Sequence, residues 1–487
     1  MSAHPHRSSL EGLEIEIFKL VSKDATLEQW VEWLRAPLEH AAAQGNQGLV
    51  DKLLGAGADG SAGWKGCGGR TLLYAAVVGG SEGVVSSLLR AGAQPDVNVL
   101  SAPSSRSPLY QATLGGHEAV ARLLVVAGAD VNFTVPRDKL TVLHLAIQGG
   151  YEKLAKELLL SGADVDARDP VGCTPLHMAA SKGLNRTVSV LLLKRADKDA
   201  VDSDGDSALM YASGALGPHL AVVETLLAAG ADLNIRRPSD DYSALDWASC
   251  AGHVPTIQAI LRHGADVNCC SGANGKSALH RAVLNDQADS VHALIEAGAD
   301  MEKKLNTGIT PMCLAARCGK SKALLALLLK GATVGAPDNT EGLTSLHVAC
   351  LFQRDGLAVV VDLLLRWGAD EDALDSNGRT PAEALDRVPN NRTCSQEVID
   401  RARLLLARAP ADRAWRRRSW LVMLRARASR ARIASCVESS GAAASGACEG
   451  RKAARREGTA CVADEERGQA VSRFDDVGAE SGDDGSG

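Results

Sequence analysis

The sequence predicts an all-α solenoid of stacked helix-turn-helix repeats with projecting β-turn loops, and three observations lead there. One pattern, plainest in Thr174-Pro175-Leu176-His177-Met178-Ala179-Ala180 and followed by Gly183, Leu191-Leu192 and Ala196-Asp197, keeps returning. Its starts at Ala36, Thr71, Ser107, Thr141, Thr174, Ser207, Ser243, Ser277, Thr310, Thr344 and Thr380 lie 33 to 36 residues apart. Apolar residues make up 45% of the 487 but aromatics only 3%, so the interior is built from Leu, Val and Ala, small enough for neighbouring units to approach closely.

Within a unit, each element has a local cause. A Thr or Ser opens the units after the first and offers a hydroxyl to the orphan amides of a first helical turn. Pro follows at Pro37, Pro108, Pro175, Pro311 and Pro381, where its fixed φ suits the first helical position. Apolar residues two, five and six places after the start define one helical face, and Gly nine places on ends the helix. A second helix carries paired aliphatics such as Leu123-Leu124 and Leu158-Leu159 and stops at Gly-Ala-Asp, as at Gly128, Gly162 and Gly298. A Gly two residues before most starts, as in Gly172 and Gly275, marks a turn between stacked pairs.

Departures from the pattern are specific. Asp286 and Gln353 stand where the first helix should end in Gly. The unit at Ser207 has an extra residue near Leu216-Gly217-Pro218, and the loops at 60–70, 95–106 and 236–242 are long or lack the usual Gly. The domain organisation expected is N-terminal capping helices over 1–35, the repeat array over 36–408, a basic amphipathic helix over 409–436 and a disordered acidic Gly/Ser tail over 437–487. In the capping region Leu10, Leu13, Ile17, Leu20 and Val21 keep helical spacing. Thr26 and Gln29 could form a capping box, with Leu27, Trp30, Val31 and Leu34 inward. The last unit, ending in Leu404-Leu405-Leu406, reads as a degenerate cap.

Charge follows the same division. Residues 401–432 carry eleven Arg against one acid, Asp412, whereas residues 437–487 carry eleven acids against six bases. With the whole chain at −6, the first 400 residues stand at −11. The twelve cysteines are too few for a disulfide scaffold and include no Cys-x-x-Cys pair, which points to a reducing compartment. No apolar run reaches the roughly 18 residues of a membrane span and the N-terminus lacks a signal-peptide core, so the expected location is intracellular, cytoplasmic or nuclear. Scarce aromatics weaken any reader of single-stranded nucleic acid that relies on base stacking.

The period and the Thr-Pro-Leu-His-x-Ala-Ala signature resemble the ankyrin repeat, over about three quarters of the chain. That resemblance implies an ankyrin-type solenoid acting as a protein-binding scaffold or adaptor, through a concave groove and turn tips, without catalysis, cofactor or metal, most simply as a monomer. His144, His177, His280 and His347 all sit three residues after a start, where the resemblance implies a structural hydrogen-bond network rather than catalysis or metal binding. The Asp of each Gly-Ala-Asp is read as turn-forming rather than calcium-binding. Cys313, Cys318, Cys269 and Cys270, which frame no zinc site, are read as buried small hydrophobes.

Four residues after each start the pattern leaves identity free, and successive units place Met178, Tyr211, Trp247 and Arg281 there. Tyr, Trp and Arg are the types richest in binding hot spots, so these four are the candidate partner-binding residues, expected off the core face. In the tail, Arg416, Arg417, Arg418 and Arg425 flank a partial apolar face of Trp420, Leu424 and Ala428. This segment fits a docked helix, an import signal, a phosphate or anionic-membrane binder, or a calmodulin-like target. It is similar to Arg/Trp tails that follow ankyrin arrays in algal proteins. Two alternatives to the scaffold reading therefore stand: a nuclear or nucleic-acid-associated regulator using residues 413–432, and a regulatory subunit masking an enzyme's active site.

Overall fold

In the computed structural model the described residues run from Leu27 to Ala409, apart from 57, 59, 61–69, 102–104, 136–138, 215–218, 273, 338–340 and 388–393. They form consecutive helix pairs. The first are Leu27–Ala43 with Gln47–Gly55, Leu72–Gly79 with Glu82–Arg90, Pro108–Leu114 with Glu118–Val126 and Val142–Gly149 with Glu152–Leu160. Then come Pro175–Ser181 with Asn185–Leu193, Ala208–Ser213 with Leu220–Ala228, Ala244–Ala251 with Val254–Arg262 and Ala278–Leu284 with Ala288–Glu296. Pro311–Cys318 with Ser321–Lys330, Ser345–Phe352 with Leu357–Arg366, and Pro381–Arg387 with a helix over 396–409 close the series. First helices pack on the first helices of neighbouring units and second helices on second helices. One apolar core of small and aliphatic side chains therefore runs the length of the stack.

One expected helix start is wrong. The unit at Ala36 does not begin there, because its first helix runs unbroken over Leu27–Ala43 with Pro37 inside it. Ala36 has no side-chain oxygen to accept the freed amides, so nothing halts the helix at that point. The remaining expectations for 1–26, including the Thr26 cap, and those for the inserted Leu216-Gly217-Pro218 lie outside the described residues.

At the other starts the hydroxyl does cap. Thr71 accepts from the Tyr74 amide at 3.2 Å, Ser107 from Tyr110 at 3.2 Å and Thr310 from Cys313 at 3.3 Å. Where His stands three places on, the exchange becomes reciprocal. The Thr141 amide donates to His144 Nδ1 at 3.3 Å while the His144 amide donates back to Thr141 Oγ1 at 3.3 Å. With Nδ1 accepting, Nε2 carries the proton, and it reaches the carbonyl just ahead of the next unit's start. His144 donates to Cys173 at 3.3 Å, His177 to Asp206 at 3.1 Å and His347 to Arg379 at 3.0 Å. His280 keeps the cap and is directed at the Ile309 carbonyl, but its Nε2 falls outside hydrogen-bonding geometry. His144, His177 and His347 thus tie their units to the next, and among the described residues no group of three or more His, Cys, Asp or Glu could hold a metal ion.

The projecting turns are short hairpins. Cys270–Ser271 pairs antiparallel with Lys276–Ser277, and single bridges join Thr134 to Thr141 and Val201 to Ser207. Among the described residues each Gly-Ala-Asp carboxylate accepts the amide two residues on, as Asp130 does from Asn132 at 2.9 Å, which is the turn-forming role expected. The residue two places after that Asp then crosses to the next unit. Asn132 Oδ1 accepts the Asp164 amide at 2.7 Å while its Nδ2 donates to the Gly162 carbonyl at 3.1 Å, and Asn98 and Asn268 repeat both bonds.

The three non-glycine residues at helix ends adopt the left-handed backbone otherwise taken by Gly. Asp286 has φ 56°, Gln353 φ 40° and Arg195, in place of the Gly of Gly-Ala-Asp, φ 66°. Two of them gain something in return: Asp286 Oδ1 accepts the Ala323 amide at 2.8 Å, and buried Gln353 donates Nε2 to the Leu385 carbonyl at 2.9 Å. Among the described residues the exposed Arg195 has no such compensating bond from its side chain. Arg195→Gly is therefore expected to raise stability by about 0.5–1 kcal/mol, a left-handed L-residue costing about 1–2 kcal/mol and the freer unfolded Gly offsetting part. Gln353→Ala should lower stability by about 1–3 kcal/mol, having kept the strain and lost the bond. Denaturant midpoints of the two variants check both signs.

The histidines carry a pH dependence. Burial holds His144 and His177 below the ordinary imidazole range and pushes His280 down to about 4 from 6.5. Because the folded value lies below the unfolded one, the unfolded chain takes up protons first as pH falls. The stability is thus complete above about pH 6.5 and is lost toward pH 4, at about 1.4 kcal/mol per unit of pH for each fully responding site. The thermal midpoint should drop through that window, and His280→Gln, which retains a cap acceptor, should flatten the drop. A midpoint unchanged between pH 7 and pH 4 in the parent chain would contradict this role for the histidines.

Candidate protein-binding surface

The four residues singled out from the free position are all placed by first helices of consecutive units, and the structure ties them down more than the sequence suggested. Met178 is half-buried against the core. Tyr211 donates its hydroxyl to Asp202 Oδ2 at 2.8 Å, lies 3.5 Å from the buried Cys173 Sγ and stands edge-on to His177 with ring centroids 5.6 Å apart. Burial and these bonds raise the Tyr211 pKa, and burial raises that of the Cys173 thiol. Asp202 is itself partly desolvated, yet the Tyr211 hydroxyl and the Asp206 and Asp204 amides win and hold its carboxyl below the usual range.

Trp247 is half-buried and sandwiched. The Arg237 guanidinium lies 5.0 Å from its ring centroid and the Tyr242 ring 5.4 Å away. Its Nε1 is buried without a hydrogen-bond partner. Arg237 in turn pairs with Asp206, its Nε at 2.9 Å from Oδ1.

Arg281 corrects the expectation most plainly, being only 2% exposed. Its guanidinium carbon lies 3.4 Å from the Tyr242 ring centroid, and one terminal nitrogen donates to Ser271 Oγ at 2.8 Å and to the Asp240 carbonyl at 3.2 Å. Its Nε stands 3.1 Å from Asp246 Oδ1, too far off line for a hydrogen bond but close enough for an ion pair. Asp246 occupies the slot that His fills in four other units and caps Ser243 through Oδ2. Burial keeps this carboxyl above the usual range even beside Arg281. A long side chain with a buried acid one unit away turns inward because an unpaired buried carboxylate is costlier than a folded-back arginine.

The arrangement leaves a cleft of about 750 Å³ between two successive projecting turns. Pro238 to Tyr242 form one wall, Ser271, Gly272, Asn274 and Lys276 the other, and Arg281 the floor. Asp241, at φ 59°, closes the base by accepting the Gly272 amide at 2.7 Å. Sequence reasoning missed Asp246, Tyr242 and Arg237. The signals were there: an acid in the histidine slot, and two arginines opening the Gly-less loop at 236–242. Cys269 and Cys270 are exposed, against the expectation of burial, because they sit on this hairpin rather than in a helix; Cys313 is buried and Cys318 half-buried. Arg416, Arg417, Arg418 and Arg425, with the 409–436 helix and the 437–487 tail, fall beyond the described residues, except for Ala409.

Models of ankyrin repeats match residues 38–135, 143–237 and 215–305, and a further single-repeat model matches 341–376, which is more than half of the chain. The chain belongs to the ankyrin-repeat family. Among curated proteins, it is similar to the ARF GTPase-activating protein Git of Drosophila melanogaster, with 35% identity over 86 residues, 18% of this chain and 11% of that one. It thus spans about a tenth of that relative. Among solved structures, the ankyrin repeat domain of Bcl-3, a member of the IkappaB protein family, aligns with a TM-score of 0.40 and 27% identity, over 46% of this chain and 99% of that one. Ankyrin repeats generally mediate protein–protein interaction. Among the described residues, no helix is long and apolar enough to cross a membrane.

Arg281→Ala is expected to cost about 3–5 kcal/mol, since it strands the Asp246 carboxylate in the core. The double change Asp246→Asn, Arg281→Met should recover much of that loss. Trp247→Ala should also lower the unfolding midpoint, because the ring is partly in the core. A three-variant urea series measures all of these, and equal stability of Arg281→Ala and the parent chain would contradict the pairing.

Proposed function

We propose that this ankyrin array is an interaction scaffold or adaptor that docks a partner protein on its first-helix and turn side, centred on the cleft between the turns at 238–242 and 271–276. The carrying observation is that cleft together with its rigid support. Arg237, Trp247, Tyr242 and Arg281 stack in series beneath it, and buried or half-buried acids hold both arginines. A surface whose side chains are already immobilised loses little entropy on binding, which is where affinity is gained. The proposed role of Trp247 and Tyr211 is to present fixed aromatic edges to the partner, and that of Arg281 is to hold the Tyr242 wall in place. Asp240, Lys276 and Asn274 on the walls suit a polar, mixed-charge segment of the partner.

A photo-crosslinking residue at Ser239 should capture a partner that the same residue at Lys322, remote from the cleft, does not. With that partner purified, Lys276→Glu and Asp240→Lys are each expected to weaken binding several-fold by calorimetry, Lys276→Glu with the unfolding midpoint unchanged and Asp240→Lys with a small loss, since it also removes the 3.8 Å ion pair with Arg237. Unaltered affinity in both variants would move the partner's site elsewhere on the array.

A further inference from the structure

A different face of the array carries a regularity that the fold does not require. From the unit at Thr71 to that at Thr344, the residue two places before the Gly (or its replacement Arg195) that ends each second helix is solvent-exposed, and it is charged in Arg90, Arg262, Glu296 and Arg366. Four consecutive units place Val126, Leu160, Leu193 and Ala228 there, while Leu329 is an isolated apolar case between Glu296 and Arg366. These are not core residues, for Val126, Leu160 and Leu193 are 84%, 63% and 82% exposed. A single exposed Leu is unremarkable, but an unbroken apolar row at one equivalent position, bounded by Arg90 and Arg262, is not random scatter.

Beside the row lies a groove of about 260 Å³ between the helices Glu152–Leu160 and Asn185–Leu193. Lys153, Lys156 and Arg186 line it, with one acid, Glu152, among them, and among the described residues none of the three bases is in an ion pair. Leu159 and Val190 form apolar lining, and the 3%-exposed Thr187 contributes a hydroxyl with no hydrogen-bond partner. Lys194 and Arg195 add exposed positive charge immediately after Leu193. This surplus of base sits on an array whose first 400 residues are at −11.

We infer that this second-helix face, over the units opening at Ser107, Thr141, Thr174 and Ser207, docks an acidic amphipathic helix of a partner protein. Packed helices lie about 8–10 Å apart, so the row spans about 27 Å with one apolar knob per interval. An α-helix rises about 1.5 Å per residue and returns to the same face about every seventh residue, about 10.5 Å on and close to that interval. An extended strand does not match, because its same-face side chains recur at about 6.6 and 13 Å. The unpaired bases of the groove select carboxylates along the flank of that helix. This site is separate from the cleft at 238–242.

The test uses the full chain and a fluorescently labelled peptide of about 21 residues, with Leu at every seventh position and Glu and Ala elsewhere, followed by anisotropy. Saturable binding is expected below about 100 μM, weakened about tenfold or more by Leu160→Glu with Leu193→Glu. Lys153→Glu, Lys156→Glu and Arg186→Glu combined should weaken it several-fold and remove most of its salt dependence. A peptide of the same composition with the Leu spacing broken should not bind, and Lys276→Glu in the distant cleft should change nothing. Matching circular-dichroism melts confirm that these exposed substitutions leave the array folded. Absence of binding, or equal binding by the Leu160→Glu, Leu193→Glu chain, overturns the inference. So does a parent dimer that Leu193→Glu dissolves, or attachment to phosphatidylserine vesicles in place of the peptide, since the occupant would then be a second copy or a lipid surface.

Discussion

The stack depends on ties between neighbours, because a unit of two short helices cannot close a core alone. The clearest tie is the imidazole Nε2 that reaches from one helix cap to the carbonyl just ahead of the next unit's start, as His144 does to Cys173 and His177 to Asp206. It sets register at the first helices, while Asn98, Asn132 and Asn268 do the same at the far ends of the second helices. A burial gradient alone would let helices slide. Paired directional bonds at both ends do not.

Where the tie is altered, the array replaces it with another. In the unit at Ser243 an acid takes the histidine slot and the cross-unit bond becomes the buried Asp246–Arg281 ion pair. At Asp286 and Gln353 a non-glycine residue takes the left-handed backbone, and its side chain reaches into the following unit. Irregular positions in this chain are therefore mostly inter-unit contacts with different chemistry. The same substitution that stiffens the Tyr242 wall also shapes the cleft.

The two faces of the array differ in how they were prepared. On the first-helix side, aromatic and charged residues are locked by one another around an open cleft. On the second-helix side, an apolar row is exposed, and among the described residues the neighbouring Lys153, Lys156 and Arg186 form no ion pair.

Much of the fold was written in local order. The hydroxyl at each start, the Pro behind it, the Gly nine places on and the Gly-Ala-Asp stop are short-range instructions, each acting within one turn, and the period alone implied stacking. The site was less legible. Periodicity shows that residue 281 is free to vary, but which way Arg281 points depends on Asp246, Tyr242 and Ser271, the first two more than 30 residues away and meeting it only once two units are stacked. Ala36 misled for a related reason, since a repeat's start is a helix start only where a cap is present. Sequence by itself determined the repeat, its helices and its turns, because those follow from bonds between residues a few places apart. Tertiary structure alone decided which variable side chains are support and which are surface, because burial and charge pairing are set by neighbours that the chain brings together from successive units.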